Sequence, residues 1–313
     1  MDSSEKTAAS VIGPGLLVAF VKSTRPKQWT KNLLVFMAFF FTIDQEWDLA
    51  EIETGVRFFA KSAIAFVLFS ALSGAVYLVN DIVDVEKDRQ HPRKRFRPIA
   101  SGKLPVPLAQ VGAAILAVAG LAVAYALEPL LGLVAALYLT TMLFYSFMLK
   151  KIVLLDVFSI AAGFILRAVA GAAVLQVPIS PWLYICTGLG ALFIALSKRR
   201  SELALAGEDA AKQRDILNTY SVPLLDQFVA VVAPATVVSY ALYTVTSENL
   251  PENDAMLLTV PFVVYGLFRY MFLVHRKGLG EAPEDILITD VPLIISIVLW
   301  LATAATVLVV FRG

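Results

Sequence analysis

The chain has 313 residues, 58% hydrophobic and 16% charged, with a mean hydropathy of +0.75. Soluble domains carry about 25% charged residues, so a soluble fold is excluded and lipid must be part of the solvent. The formal net charge of +1 gives no footprint for nucleic acid, and a single cysteine, Cys186, excludes a disulfide framework or a cysteine-built metal site.

Residues 1–24 read as an N-terminal interfacial segment. Val11 to Phe20 is apolar, but Gly13, Pro14 and Gly15 interrupt it and no small-residue cleavage site follows. Residues 25–313 read as one domain. A bilayer core of about 30 Å takes about 20 apolar residues per helix. The runs predicted to span it are Gln28–Ile43, Phe58–Asn80, Val106–Leu127, Pro129–Met148, Ile152–Val174, Trp182–Ser197, Phe228–Val245, Met256–Val274 and Val291–Val309. They are too long, and alternate too little, for barrel strands. The expected class is an all-α polytopic membrane protein of about nine helices.

Twenty-one of the 26 basic residues fall on the face that carries the N-terminus, three fall on the other, and Arg167 and Arg269 lie within spans. The positive-inside rule then predicts a multi-pass cell-membrane protein with a cytoplasmic N-terminus and an external C-terminus.

The loop after the second span, NDIVDVEKDRQHPRKRFRPIASGKLP, holds the densest chemistry. On a continuing helix Asp81, Asp84 and Asp88 share one face, with Asn80 at its edge. Three carboxylates this close repel one another without a cation. Oxygen donors without His or Cys suit Mg²⁺, so these aspartates are the predicted metal ligands, with Asp81 and Asp84 also counted as catalytic. Arg89, Arg95 and Arg97 follow and are assigned to phosphate oxygens. His91, before Pro92, is read as a loop residue.

NDIVDVEKD resembles the NDxxDxxxD motif of the UbiA-type superfamily of intramembrane prenyltransferases. The resemblance implies nine helices around a central cavity and an isoprenoid diphosphate bound through Mg²⁺. RPKQWTKN, YSFMLKKIVLLD, GFILRAVAGA, SKRRSEL and APEDILITD resemble one branch of that superfamily, the decaprenyl-phosphate phosphoribosyltransferases. This implies phosphoribosyl diphosphate and a polyprenyl phosphate as partners, and a product that serves as a cell-wall polysaccharide (arabinogalactan) precursor. Self-association into a homo-oligomer is left open.

Aromatic prenyltransferases of the superfamily carry a second acidic motif after the sixth span. Here that place has Lys198, Arg199 and Arg200 with the single acid Glu202. Such a site suits more phosphate oxygens and fewer metal ions. Lys27, Lys150, Lys198 and Arg199 are therefore predicted phosphate contacts, Asn32, Asn80 and Tyr145 orienting groups, and Glu202 part of the substrate-binding set. Asp156 and Arg167 share a face of the fifth span, where charge is costly unless it lines a cavity or is paired. Asp156 is assigned to ribose hydroxyls or the ion, with a catalytic role. Arg167 is assigned to substrate, with a structural strut as the alternative. The rival functions are isoprenoid transfer to an aromatic acceptor and secondary transport. The first needs the missing acidic motif. The second favours midplane sites in matching halves, which this sequence does not display.

Overall fold

The computed structural model describes residues 14–48, 52–178, 180–206 and 215–311. Lys6, Lys212, Gln213 and Arg214 lie outside them. Among the described residues every regular element is helical, and the only bridge joins Ile43 to Trp47.

The helices are α1 (Pro14–Ser23), α2 (Met37–Phe41), α3 (Ile52–Val83), α4 (Val85–Gln90), α5 (Val106–Leu127), α6 (Pro129–Phe147), α7 (Leu155–Leu175), α8 (Pro181–Ala206), α9 (Val222–Thr246), α10 (Val260–Lys277), α11 (Pro283–Thr289) and α12 (Val291–Phe311). Seven helices among the described residues are long and apolar enough to cross a bilayer, and α8, with 26 residues, matches them in length. Large aliphatic side chains stand outward on α5 (Val111, Ile115, Val118) and α12 (Ile295, Val298), each more than half exposed. Outward apolar faces of this kind require lipid.

The first predicted span is not one α-helix. Pro26–Phe36 forms a 3₁₀ helix that hands over to α2 at Met37. Pro26 bars Arg25 from the right-handed helical region, and Arg25 turns at φ 55°. A 3₁₀ helix rises about 2.0 Å per residue, so eleven such residues plus the five of α2 cover about 30 Å. The crossing therefore needs fewer residues than an α-helix would. It lies against α3 and α7, so closely that a Cβ at Gly171 would sit 2.0 Å from the Val35 carbonyl oxygen.

Two buried cores flank α7. One holds Phe69, Leu72, Leu131, Tyr138 and Val169; the other holds Val157, Phe193, Leu225, Val229 and Leu273. The sixth span also differs from its prediction. Hydropathy stops at Ser197, but the helix runs to Ala206 because its charged end finds partners inside the protein.

Candidate active site

Helix α3 has 32 residues and extends about 48 Å, which carries Asn80 and Asp81 past an apolar core. The single continuous face expected for the aspartates is interrupted. The α-helix ends at Val83, Asp84 occupies a turn at φ −96°, and Asp88 lies on the short α4. The carboxylates nonetheless gather cations. Asp81, 2% exposed, accepts from Arg25 and, at 3.1 Å, from Arg97 Nη1; the same Nη1 reaches Asp88 Oδ2 at 2.6 Å. Lys150 Nζ donates to both Asp84 oxygens at 2.7 and 2.8 Å and to Asn80 Oδ1 at 3.3 Å. The left-handed turn at Arg25 aims its guanidinium here, where it also lies 4.8 Å above the Tyr77 ring.

Whether these residues suit Mg²⁺ is decided by their donors. Asn80, Asp81, Asp84 and Asp88 offer oxygen only, the chemistry a hard ion takes, and the cluster already attracts three cationic side chains. In kind and in charge they fit. In the arrangement described here each carboxylate is held by a protein cation, and no three acidic groups converge among the described residues.

The other predicted residues divide sharply. Arg89 bonds Glu86 and the Ala100 carbonyl, and exposed Arg95 lies over Phe96; neither reaches the aspartates. His91 Nδ1 accepts from the amides of Arg93 and Lys94, closing its own turn. Burial and the nearby Lys94 hold its pKa below the usual histidine value.

Asp156 is fully buried, and both of its oxygens are taken: Oδ2 by Arg199 Nε at 2.8 Å, Oδ1 by the Tyr220 hydroxyl at 2.8 Å. Arg199, 2% exposed, also holds Glu202. These residues tie α7 to α8 and to the loop before α9, and Tyr220 was not foreseen. Burial and its bond to Asp156 push the Tyr220 phenol up to about 12, although the Leu154 amide opposes the shift.

Arg167 is buried among the helices. Its guanidinium donates to Asn32 Oδ1 at 2.6 Å, the Gly163 carbonyl at 2.8 Å and the Tyr138 hydroxyl at 2.8 Å, and stacks over the Tyr138 ring. Asn32 in turn donates to Ser70 Oγ at 3.0 Å. The predicted substrate residues Asn32 and Arg167 thus join α7, α6, α3 and the first crossing.

A third group lies where the first crossing meets α8 and α11. Glu284 on α11 accepts from Gln28 and feels the charges of Lys31 and Lys198. Tyr145 is within electrostatic reach of Lys31 and Arg199. Lys27 stands at the exposed rim, 3.6 Å from Asp285. Of these, Gln28, Lys31 and Glu284 were missed, as was Arg25. Arg25, Gln28 and Lys31 lie in RPKQWTKN and Glu284 in APEDILITD, blocks that carry the branch resemblance, but neither charge pattern nor hydropathy assigned these residues a role.

The architecture matches a UbiA homolog from Archaeoglobus fulgidus bound to GPP and Mg²⁺, with a TM-score of 0.70 and 17% identity, covering 93% of this chain and 100% of that one. The fold is therefore that of the intramembrane prenyltransferases. The chain matches the UbiA prenyltransferase family over residues 49–284, and it belongs to that family. It is 37% identical over 293 residues to the decaprenyl-phosphate phosphoribosyltransferase of Mycobacterium tuberculosis, covering 92% of this chain and 93% of that protein. The enzyme of the same name from Corynebacterium glutamicum is 35% identical, with 90% and 83% covered. The chain is a transferase whose likeness runs to this branch of the family over nearly its whole length.

Proposed function

We propose that the protein transfers phosphoribosyl from phosphoribosyl diphosphate to a polyprenyl (decaprenyl) phosphate, releasing diphosphate, at the cytoplasmic face of the membrane. The product would be a lipid-linked pentose phosphate for cell-wall polysaccharide. The observation that carries this reading is the 35–37% identity to proteins of that name across nine-tenths of the chain. The cation-rich interior supports it, since donor and acceptor together bring a diphosphate and two monophosphates. Orientation rests on the sorting of basic residues along the sequence, and residues 25–313 are taken as one catalytic domain.

Asp81, Asp84 and Asp88, with Asn80, would hold Mg²⁺, which when bound neutralises negative charge on the diphosphate. Lys150 and Arg97, which now neutralise those carboxylates, would turn to phosphate oxygens, while Lys31, Lys198 and rim Lys27 face the remaining phosphate groups. As the bond from the anomeric carbon to the diphosphate oxygen breaks, diphosphate departs with the electron pair. An oxygen of the lipid phosphate forms the new bond from the opposite side. No base is required, because a phosphate monoester with a second pKa of about 6 is anionic at neutral pH. Catalysis is then positioning and charge stabilisation. An apolar groove of about 430 Å³ between α3, α5 and α6 is lined by Ala75, Val79, Ile82, Val83, Leu139 and Phe147.

Purified protein with Mg²⁺ would be offered labelled phosphoribosyl diphosphate with polyprenyl phosphate, or polyprenyl diphosphate with an aromatic acid. Label should enter lipid only in the first mixture. Prenylation of the aromatic acid instead would replace this reading with the family's other chemistry.

A further inference from the structure

Few buried polar side-chain atoms among the described residues lack a hydrogen-bond partner: Ser62 Oγ, Ser201 Oγ, Tyr270 OH and Glu284 Oε2. Glu284 is the one carboxylate in this group. Its Oε1 accepts from Gln28, while Oε2 is enclosed with no donor. Burial opposes its charge, but Lys31, its own amide, Lys198 and Gln28 outweigh that effect and hold the carboxyl below the usual carboxylate range. Tyr270, also buried with its hydroxyl unpartnered, is within electrostatic reach of Glu284.

An enclosed carboxylate oxygen without a donor is costly, and a ligand hydroxyl would remove that cost. Both oxygens of Asp156, which the sequence offered for the ribose, already accept from Arg199 and Tyr220, whereas Glu284 Oε2 accepts from no donor. Lys31 and Lys198, whose charges act on Glu284, call for phosphate on the same ligand. A sugar phosphate satisfies both demands, whereas an isoprenyl chain has no hydroxyl to give.

Building on the phosphoribosyl reading above, we propose that Glu284 accepts a hydroxyl of the donor's ribose and thereby selects a pentosyl diphosphate over an isoprenyl diphosphate. A site built to hydrogen-bond a hydroxyl rejects a ligand that lacks it, because its own polar group is left unpaired.

The test is a binding cycle on the purified full chain with Mg²⁺, comparing the parent with Glu284→Gln. The ligands are phosphoribosyl diphosphate, its 2-deoxy and 3-deoxy analogues, and geranyl diphosphate. The substitution should weaken phosphoribosyl diphosphate about ten- to hundredfold. It should leave one deoxy analogue within about threefold of the parent value and should not weaken geranyl diphosphate. Equal losses for all three sugar ligands would overturn the assignment to Glu284 while leaving the phosphoribosyl reading intact. A parent protein that binds geranyl diphosphate but not phosphoribosyl diphosphate would overturn both. Gln28→Leu, which frees the Glu284 carboxylate from its tether, should give the same ligand-dependent pattern at smaller size. It serves as the measurement if Glu284→Gln does not fold, and a flat pattern there counts equally against the proposal.

Discussion

Replacing Lys150 by methionine keeps the stem and removes the ammonium that grips Asp84. That ammonium donates to both Asp84 oxygens at 2.7 and 2.8 Å, with the Lys150 side chain 10% and Asp84 26% exposed. An ion bound at Asp84 has to displace it, so before diphosphate arrives the lysine competes with Mg²⁺. A charge-assisted hydrogen bond contributes about 1.5–3 kcal/mol, and the partial exposure of Asp84 moves the figure toward the lower end. About 1.4 kcal/mol is tenfold. Lys150→Met should therefore bind Mg²⁺ alone about tenfold more tightly than the parent. With diphosphate the sign reverses, because the parent's freed ammonium contacts the anion: diphosphate should bind the variant about tenfold more weakly in the presence of Mg²⁺. Isothermal titration calorimetry on the purified protein reads both arms. Weaker binding of Mg²⁺ alone would refute the reasoning, since Lys150 would then be ordering Asp84 for the ion and not standing in its place.

The buried pairs make sharper stability predictions. Arg199→Met strands the Asp156 carboxylate with Tyr220 alone and should cost about 3–5 kcal/mol, and adding Asp156→Asn should recover part of it; the readout is the fraction still monodisperse after heating. Gly171→Ala places a Cβ against the Val35 carbonyl oxygen at 2.0 Å. It should push the first crossing off α7 and lower the thermal midpoint, whereas an unchanged midpoint would mean that contact is not tight. In a Cys186-free background, cysteines at Gln45 and Asn249 should react with an impermeant thiol reagent from outside the cell, and one at Ser101 only after permeabilisation. External labelling at Ser101 would invert the orientation.

What the sequence could reveal follows the length scale of each signal. Val106–Leu127 is bounded identically in prediction and structure, because Pro105 and Glu128 punctuate a run that faces lipid along its length. The first crossing was legible as a span but not as a 3₁₀ helix, since hydropathy carries no information on rise per residue. Helix α8 outran its apolar stretch because Arg199 and Arg200 are paid for by Asp156 and Asp226, partners 43 and 26 residues away. The same blindness to distant partners explains the site. Asp81, Asp84 and Lys150 were legible as chemistry, but sequence gave no sign that Lys150 would grip Asp84. It gave no sign either that both oxygens of Asp156 would be engaged by Arg199 and Tyr220, or that Glu284, on a seven-residue helix between spans, would keep an oxygen without a donor.

The central claim is that a phosphoribosyl group, with its own phosphate, moves to the lipid and diphosphate leaves. Phosphoribosyl diphosphate carrying ³²P only in the sugar phosphate would be incubated with the purified protein, Mg²⁺ and polyprenyl phosphate. The two phases would then be separated and the diphosphate in the aqueous one counted. The account predicts that the label moves into the lipid phase, with one unlabelled diphosphate released for each labelled lipid formed. Label that stays in water while diphosphate is released, or a lipid product without the label, would contradict it.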